Sequence, residues 1–144
     1  MIHGMTNNNT LYSLEDSEWG FYLTGSRFFG NSKINSDWDL FVEVPKDKEN
    51  ALEFFQFLYK NNFRVVSNYL QDSDHPDRIQ ELVMVYCNEK DNIHIQIVED
   101  SGKKAKVQEW IKDHCKEFHL LPKKKHYIIW RFAYRLYNNY DEGI

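Results

Sequence analysis

The sequence predicts an α+β fold, on three observations. Two runs, 37–44 in its first half and 93–97 throughout, alternate apolar and polar residues with the period of strands. Runs with apolar residues every three or four positions, starting after Asp47 and again past Gly102, have the period of helices. The two kinds interleave up to about residue 100, after which only helical spacing remains. With 144 residues, 42% hydrophobic and 16% aromatic, the chain has enough apolar mass for one core. Residues 1–144 are therefore expected to form a single domain, with a loose N-terminus over 1–10 and a helical part over 103–144.

The elements follow in order. Gly20-Phe21-Tyr22-Leu23-Thr24 is apolar and β-prone and runs into Gly25-Ser26, a pair suited to a tight turn. Asp37 to Val44 is a second strand, closed by Pro45. Ala51, Leu52, Phe55, Leu58 and Tyr59 then share a helix face, with Asp47 as N-cap and Asn61-Asn62 as stop. Phe63–Val66 reads as a short strand, Gln71–Arg78 as a surface loop, and Ile79–Cys87 as the next strand. Across the polar turn Glu89–Asn92, Ile93-His94-Ile95-Gln96-Ile97 completes an antiparallel hairpin, its isoleucines on one face and His94 and Gln96 on the other.

Val107, Trp110, Ile111, His114 and Phe118 then mark an amphipathic helix stopped by Leu121-Pro122. A last helix, Lys123 to Tyr140, carries Ile128, Ile129, Phe132, Ala133, Leu136 and Tyr137 along one side and Tyr127, Trp130 and Tyr134 along another. Apolar over most of its girth, it is expected either to lie in a groove of its own domain or to meet a second subunit or partner chain.

Charge and cysteine usage narrow the function classes. The formal net charge is −4, against a general nucleic-acid coat. It is unevenly spread: residues 1–102 carry 8 basic and 17 acidic side chains, residues 103–144 carry 10 and 5. Cys87 and Cys115 are too few and too unpatterned for a disulfide scaffold or zinc ribbon, so a reducing cytoplasm is the expected compartment. No stretch approaches the ~20 apolar residues of a membrane span. His114, Cys115 and His119 do not have the spacing of a zinc site.

The chemistry-bearing stretch is Thr24-Gly25-Ser26, ten further residues, and Asp37-Trp38-Asp39-Leu40. Carboxylates two apart on a strand project from one face, leaving Trp38 for the core. Such a pair suits a hard cation with oxygen ligands, Mg²⁺ above all, which in turn recruits substrate phosphates. The combination of a strand ending in Gly-Ser, a spacer containing Gly30, and a strand opening Ser36-Asp37-Trp38-Asp39-Leu40-Phe41-Val42 resembles the signature of the polymerase-β-like nucleotidyltransferase superfamily. The resemblance is tight over about residues 20–44 and loose beyond 100.

That resemblance implies a small mixed, mostly antiparallel sheet packed with helices. It implies a nucleoside triphosphate held through Gly25 and Ser26, and Mg²⁺ or Mn²⁺ on Asp37 and Asp39. The reaction would move a nucleoside monophosphate onto an acceptor hydroxyl or phosphate of a small molecule, protein or RNA. Arg27 and Lys33 are candidates to hold the triphosphate, and Ser36 to orient Asp37. The family's usual third carboxylate is replaced: the matching outward position holds His94, which can ligate a metal or act as general base. Glu81, Glu99 and Asp100 are alternatives for that role. The alternative function is a degenerate member that binds or regulates without turnover. A third reading, RNA binding, rests on Lys123-Lys124-Lys125, Arg131 and Arg135 interleaved with aromatics.

Overall fold

Strand β2 (Trp38–Glu43) is the spine of the molecule, because it places one side chain in the core and the next on the opposite face all along its length. A computed structural model describes residues 8–70 and 82–141 of the chain. The elements run α1 (Asn9–Asp16), β1 (Tyr22–Thr24), α2 (Ser26–Phe29), β2, α3 (Lys48–Lys60), β3 (Arg64–Leu70), β4 (Leu82–Asn88), β5 (Ile93–Val98), α4 (Ser101–His114), a 3₁₀ turn (Phe118–Leu120) and α5 (Lys123–Asp141). The fold is α+β as expected, with one mixed five-stranded sheet in the order β1-β2-β5-β4-β3. Among the described residues only the β2–β5 pair is parallel; β1–β2, β5–β4 and β4–β3 are antiparallel.

Leu40 and Val42 of β2 and Ile93 and Ile95 of β5 point to one face, where Leu11 and Leu14 of α1 and Phe54 and Leu58 of α3 close over them. Phe41 points to the other face and is fully buried beneath α4, whose Lys104 Nζ lies 5.3 Å from its ring and 3.0 Å from Gln96 Oε1 of β5. A second cluster joins Val107 and Ile111 of α4, Phe118 of the 3₁₀ turn and Ala133 of α5 to Phe29 of α2.

Several boundaries match for the expected reasons. Asp47 accepts from Asn50 N–H at 3.1 Å and starts α3; Asn61 caps its end and Asn62 leaves it at φ 66°. The hairpin and its isoleucine face are present, with Cys87 opposite His94 and Asn88 opposite Ile93.

Other expectations are corrected. Asn9 and Thr10 are not loose: Asn8 accepts from Leu11 N–H at 3.0 Å, caps α1, and lets Leu11 and Leu14 anchor that helix in the core. β3 continues past Val66 to Leu70. α4 stops at His114, where Cys115 leaves helical geometry at φ −129° and ψ 81°, and Phe118 reaches the core from the 3₁₀ turn instead. For α5 one of the two expected placements is seen: Trp130, Tyr134 and Tyr137 pack on the chain's own second cluster, while Ile128 and Phe132 are exposed. The expected segments Met1–Asn7, Gln71–Arg78 and Ile79–Glu81, with Glu81 itself, lie outside the described residues. No helix among the described residues is long and apolar enough to cross a membrane.

Candidate metal centre

The site forms where β1 ends and β2 begins. Gly25 follows β1 with φ 68° and ψ −155°, a conformation that only glycine adopts without strain. Its carbonyl accepts from the N–H groups of Phe28 and Phe29 at 3.0 Å each and opens the single turn α2, which Gly30 ends in the left-handed region at φ 100°. A β-carbon on Gly25 would stand 2.5 Å from Asp39 Oδ2 and 3.0 Å from Asp39 Cβ. The Gly-Ser turn thus presses backbone against the second carboxylate of the Asp-x-Asp pair.

Asp37 and Asp39 share a face as their spacing requires, and Trp38 turns to the core side. The parallel register sets Asp39 directly opposite His94, and Asn92 of the β4–β5 turn accepts from Trp38 N–H at 2.9 Å to fix the start of β2. One ligand atom from each of Asp37, Asp39 and His94 falls within 4.8 Å of the others, the one such His, Cys, Asp and Glu grouping among the described residues. His94 Nε2 stands 4.0 Å from Asp37 Oδ2, with the two side chains 40% and 48% exposed and so free to draw in.

Asp39 is the more enclosed carboxylate. Burial pushes its carboxyl above the ordinary 3.8; the His94 ring pulls the other way, the neighbouring Asp37 adds to the push, and Lys123 and Arg27 oppose it. A carboxylate held at such a cost is relieved by a cation. The donor set, two carboxylate oxygens and an imidazole nitrogen converging on one spot, fits one divalent ion.

The remaining expected site residues divide. Ser26 is the first residue of α2, half-buried beside Gly25. Arg27 is turned to the spacer: its guanidinium lies 4.0 Å over the Trp38 ring and donates to the carbonyls of Ser36 at 2.7 Å, Asp37 at 3.2 Å and Ile34 at 3.4 Å. Ser36 Oγ accepts from Lys33 N–H at 2.7 Å, closing a turn rather than reaching the Asp37 carboxylate, and Lys33 is exposed on that turn. Glu99 and Asp100 stand at the far end of β5 from His94; Asp100 caps α4 through Lys103 N–H at 3.1 Å, so neither joins the centre.

Two residues carry more than their sequence suggests. Lys123, first in α5, is brought near enough to influence Asp39, because Phe118 packs at a tilt against Phe29 of α2 at 4.4 Å and stacks on His126 of α5 at 4.0 Å. Gln108, 2% exposed, donates from Nε2 to Leu23 O at 2.8 Å, tying α4 to the strand that leads into Gly25, while its Oε1 has no partner. Its signal was available: Gln108 lies beside Val107 and three residues before Ile111, on the buried face of α4.

The chain was compared with protein-family models, with curated proteins and with solved structures, and none of the three comparisons finds a match.

Proposed function

We propose that the protein is a metal-dependent nucleotidyltransferase, moving a nucleoside monophosphate from a nucleoside triphosphate to an acceptor hydroxyl or phosphate. The observation that carries this reading is the convergence of Asp37, Asp39 and His94 beside the Gly25 turn, on the motif that resembles the polymerase-β-like superfamily. A divalent cation in that centre supplies charge neutralisation at the transferred phosphoryl group. Asp37 and Asp39 hold it, and Gly25 leaves room for the Asp39 carboxylate. The triphosphate lies along Gly25 and Ser26, with Lys123 as the nearby cation and Arg27 fixing the spacer loop. The acceptor oxygen attacks the α-phosphorus, the α–β bridging P–O bond breaks and pyrophosphate leaves. The proton released by the acceptor is taken by solvent, because the imidazole of His94 belongs to the ligand set of the cation.

A second reading, nucleotide binding without turnover, is favoured by one observation: the third member of the cluster is an imidazole and not a carboxylate. Calorimetric titration of ATP and of GTP, with Mg²⁺ or Mn²⁺ and then with EDTA, tests both. Cation-dependent binding that is lost in Asp39→Asn is expected, followed by incorporation of α-labelled nucleotide into an acceptor. Binding without incorporation favours the second reading, and no nucleotide binding under any condition removes both.

A further inference from the structure

We infer that His94 makes this centre selective for a first-row transition-metal ion, of the Mn²⁺, Co²⁺ and Zn²⁺ series, over Mg²⁺. The inference shares its site with the proposed activity and concerns only which ion the side chains choose.

Its first support is the donor set. Mg²⁺ demands oxygen ligands in octahedral array and gives up its waters reluctantly, whereas imidazole nitrogen is a good donor to the later divalent ions. Replacing a third carboxylate by a neutral ring also removes one negative charge, the main attraction the site has for a hard ion. Its second support is placement. His94 lies on β5, an interior strand hydrogen-bonded to β2 on one side and β4 on the other, with Asp39 and Cys87 as its direct neighbours. The ring is therefore presented by a backbone that cannot retreat, and it does not compete with a carboxylate from elsewhere in the described residues.

The third support is distance. Two ligand atoms each about 2.1 Å from an ion in a tetrahedral site lie roughly 3.4 Å apart. The 4.0 Å between His94 Nε2 and Asp37 Oδ2 therefore closes by about half an ångström. Exposure of both side chains leaves their torsions free to make that movement. Asp39, held in β2 between Thr24 and His94 with the Gly25 backbone against its side chain, serves as the fixed point toward which the other two close.

The test uses the full chain, stripped with EDTA and kept free of nucleotide. Co²⁺ is titrated by its visible d–d absorption, and Mg²⁺ and Zn²⁺ are then added as competitors. The expected result is one Co²⁺ per chain, displaced by stoichiometric Zn²⁺ but not by a hundredfold excess, or about that, of Mg²⁺. His94→Asp is expected to lower the Co²⁺-to-Mg²⁺ affinity ratio by about tenfold or more, since even partners one shell further out are worth 10–100-fold. Because that variant adds charge to a central strand, proton NMR of the parent Co²⁺ complex provides the same answer without substitution: hyperfine-shifted imidazole resonances from one histidine are expected. Equal competition by Mg²⁺, an unchanged ratio in His94→Asp, or a Co²⁺ complex with no shifted imidazole signal would each overturn the inference. Selective Co²⁺ binding in a protein that binds no nucleotide would leave it standing and remove the proposed activity. Nucleotide binding with Mg²⁺ and no Co²⁺ preference would do the reverse.

Discussion

Gly25→Ala is the substitution whose cost the structure specifies most completely. The backbone at φ 68° and ψ −155° lies in a region essentially reserved for glycine, and holding alanine there costs about 1–3 kcal/mol. The new methyl would also meet Asp39 Oδ2 at 2.5 Å, Cβ at 3.0 Å and Cγ at 3.2 Å. The carboxylate end can swing aside; the Cβ cannot, because Asp39 sits in β2 between Thr24 and His94. For a chain of this size each kcal/mol moves the thermal midpoint by roughly 3 °C, so a loss of roughly 3–9 °C is expected in EDTA by circular dichroism. Displacing Asp39 is also expected to weaken Co²⁺ by about tenfold or more. Two controls separate the causes. Gly30→Ala, at φ 100° with nothing within 4 Å of the added carbon, should lower the midpoint and leave Co²⁺ affinity unchanged. Gly20→Ala, with ordinary φ and open space, should change neither. A Gly25→Ala protein that melts with the parent and binds Co²⁺ equally well would refute the account of the turn.

Two further predictions concern buried polar groups. Asp39→Asn is expected to raise the melting temperature of the metal-free protein at pH 7 while abolishing its stabilisation by Co²⁺. The sign follows from linkage: burial raises the Asp39 carboxyl in the fold, so its ionisation opposes folding above that raised value and is relieved as pH falls toward 3.8. The gain in Asp39→Asn should therefore be full at neutral pH and vanish below about pH 3.8; a variant less stable than the parent at pH 7 would show that the carboxylate is structural. Gln108→Glu replaces the donor to Leu23 O with a buried carboxylate facing a carbonyl, and should cost about 3 kcal/mol or more at pH 7. Because a protonated glutamic acid can donate to that carbonyl, part of the loss should return on acidification; urea unfolding at pH 7 and pH 4.5 measures it, and a pH-independent loss would contradict the assigned hydrogen bond.

What was legible in the sequence is what local geometry alone determines. Asp37 and Asp39 share a face because strand side chains alternate, and α3 begins and ends where Asp47 and Asn61-Asn62 satisfy its terminal backbone groups. Alternation also placed His94 outward, but not beside Asp39: that depends on β5 running parallel to β2 in one register, a choice no short pattern encodes. The same limit explains the residues whose roles changed. Arg27 looked like a phosphate ligand because it is a cation next to Gly-Ser; folding brings Trp38 and three carbonyls within its reach. The aromatic stripe of α5 was open between its own domain and a second chain because one helix cannot say which neighbour fills it; α4 and Phe118 cover Trp130, Tyr134 and Tyr137. α1 was hidden because two buried leucines three residues apart make too short a period to separate from coil. The centre is thus assembled by long-range pairing from locally specified parts. That division predicts where its chemistry is most easily altered: at His94, whose identity is set by neither strand propensity nor core packing, and on which the inferred choice of ion rests.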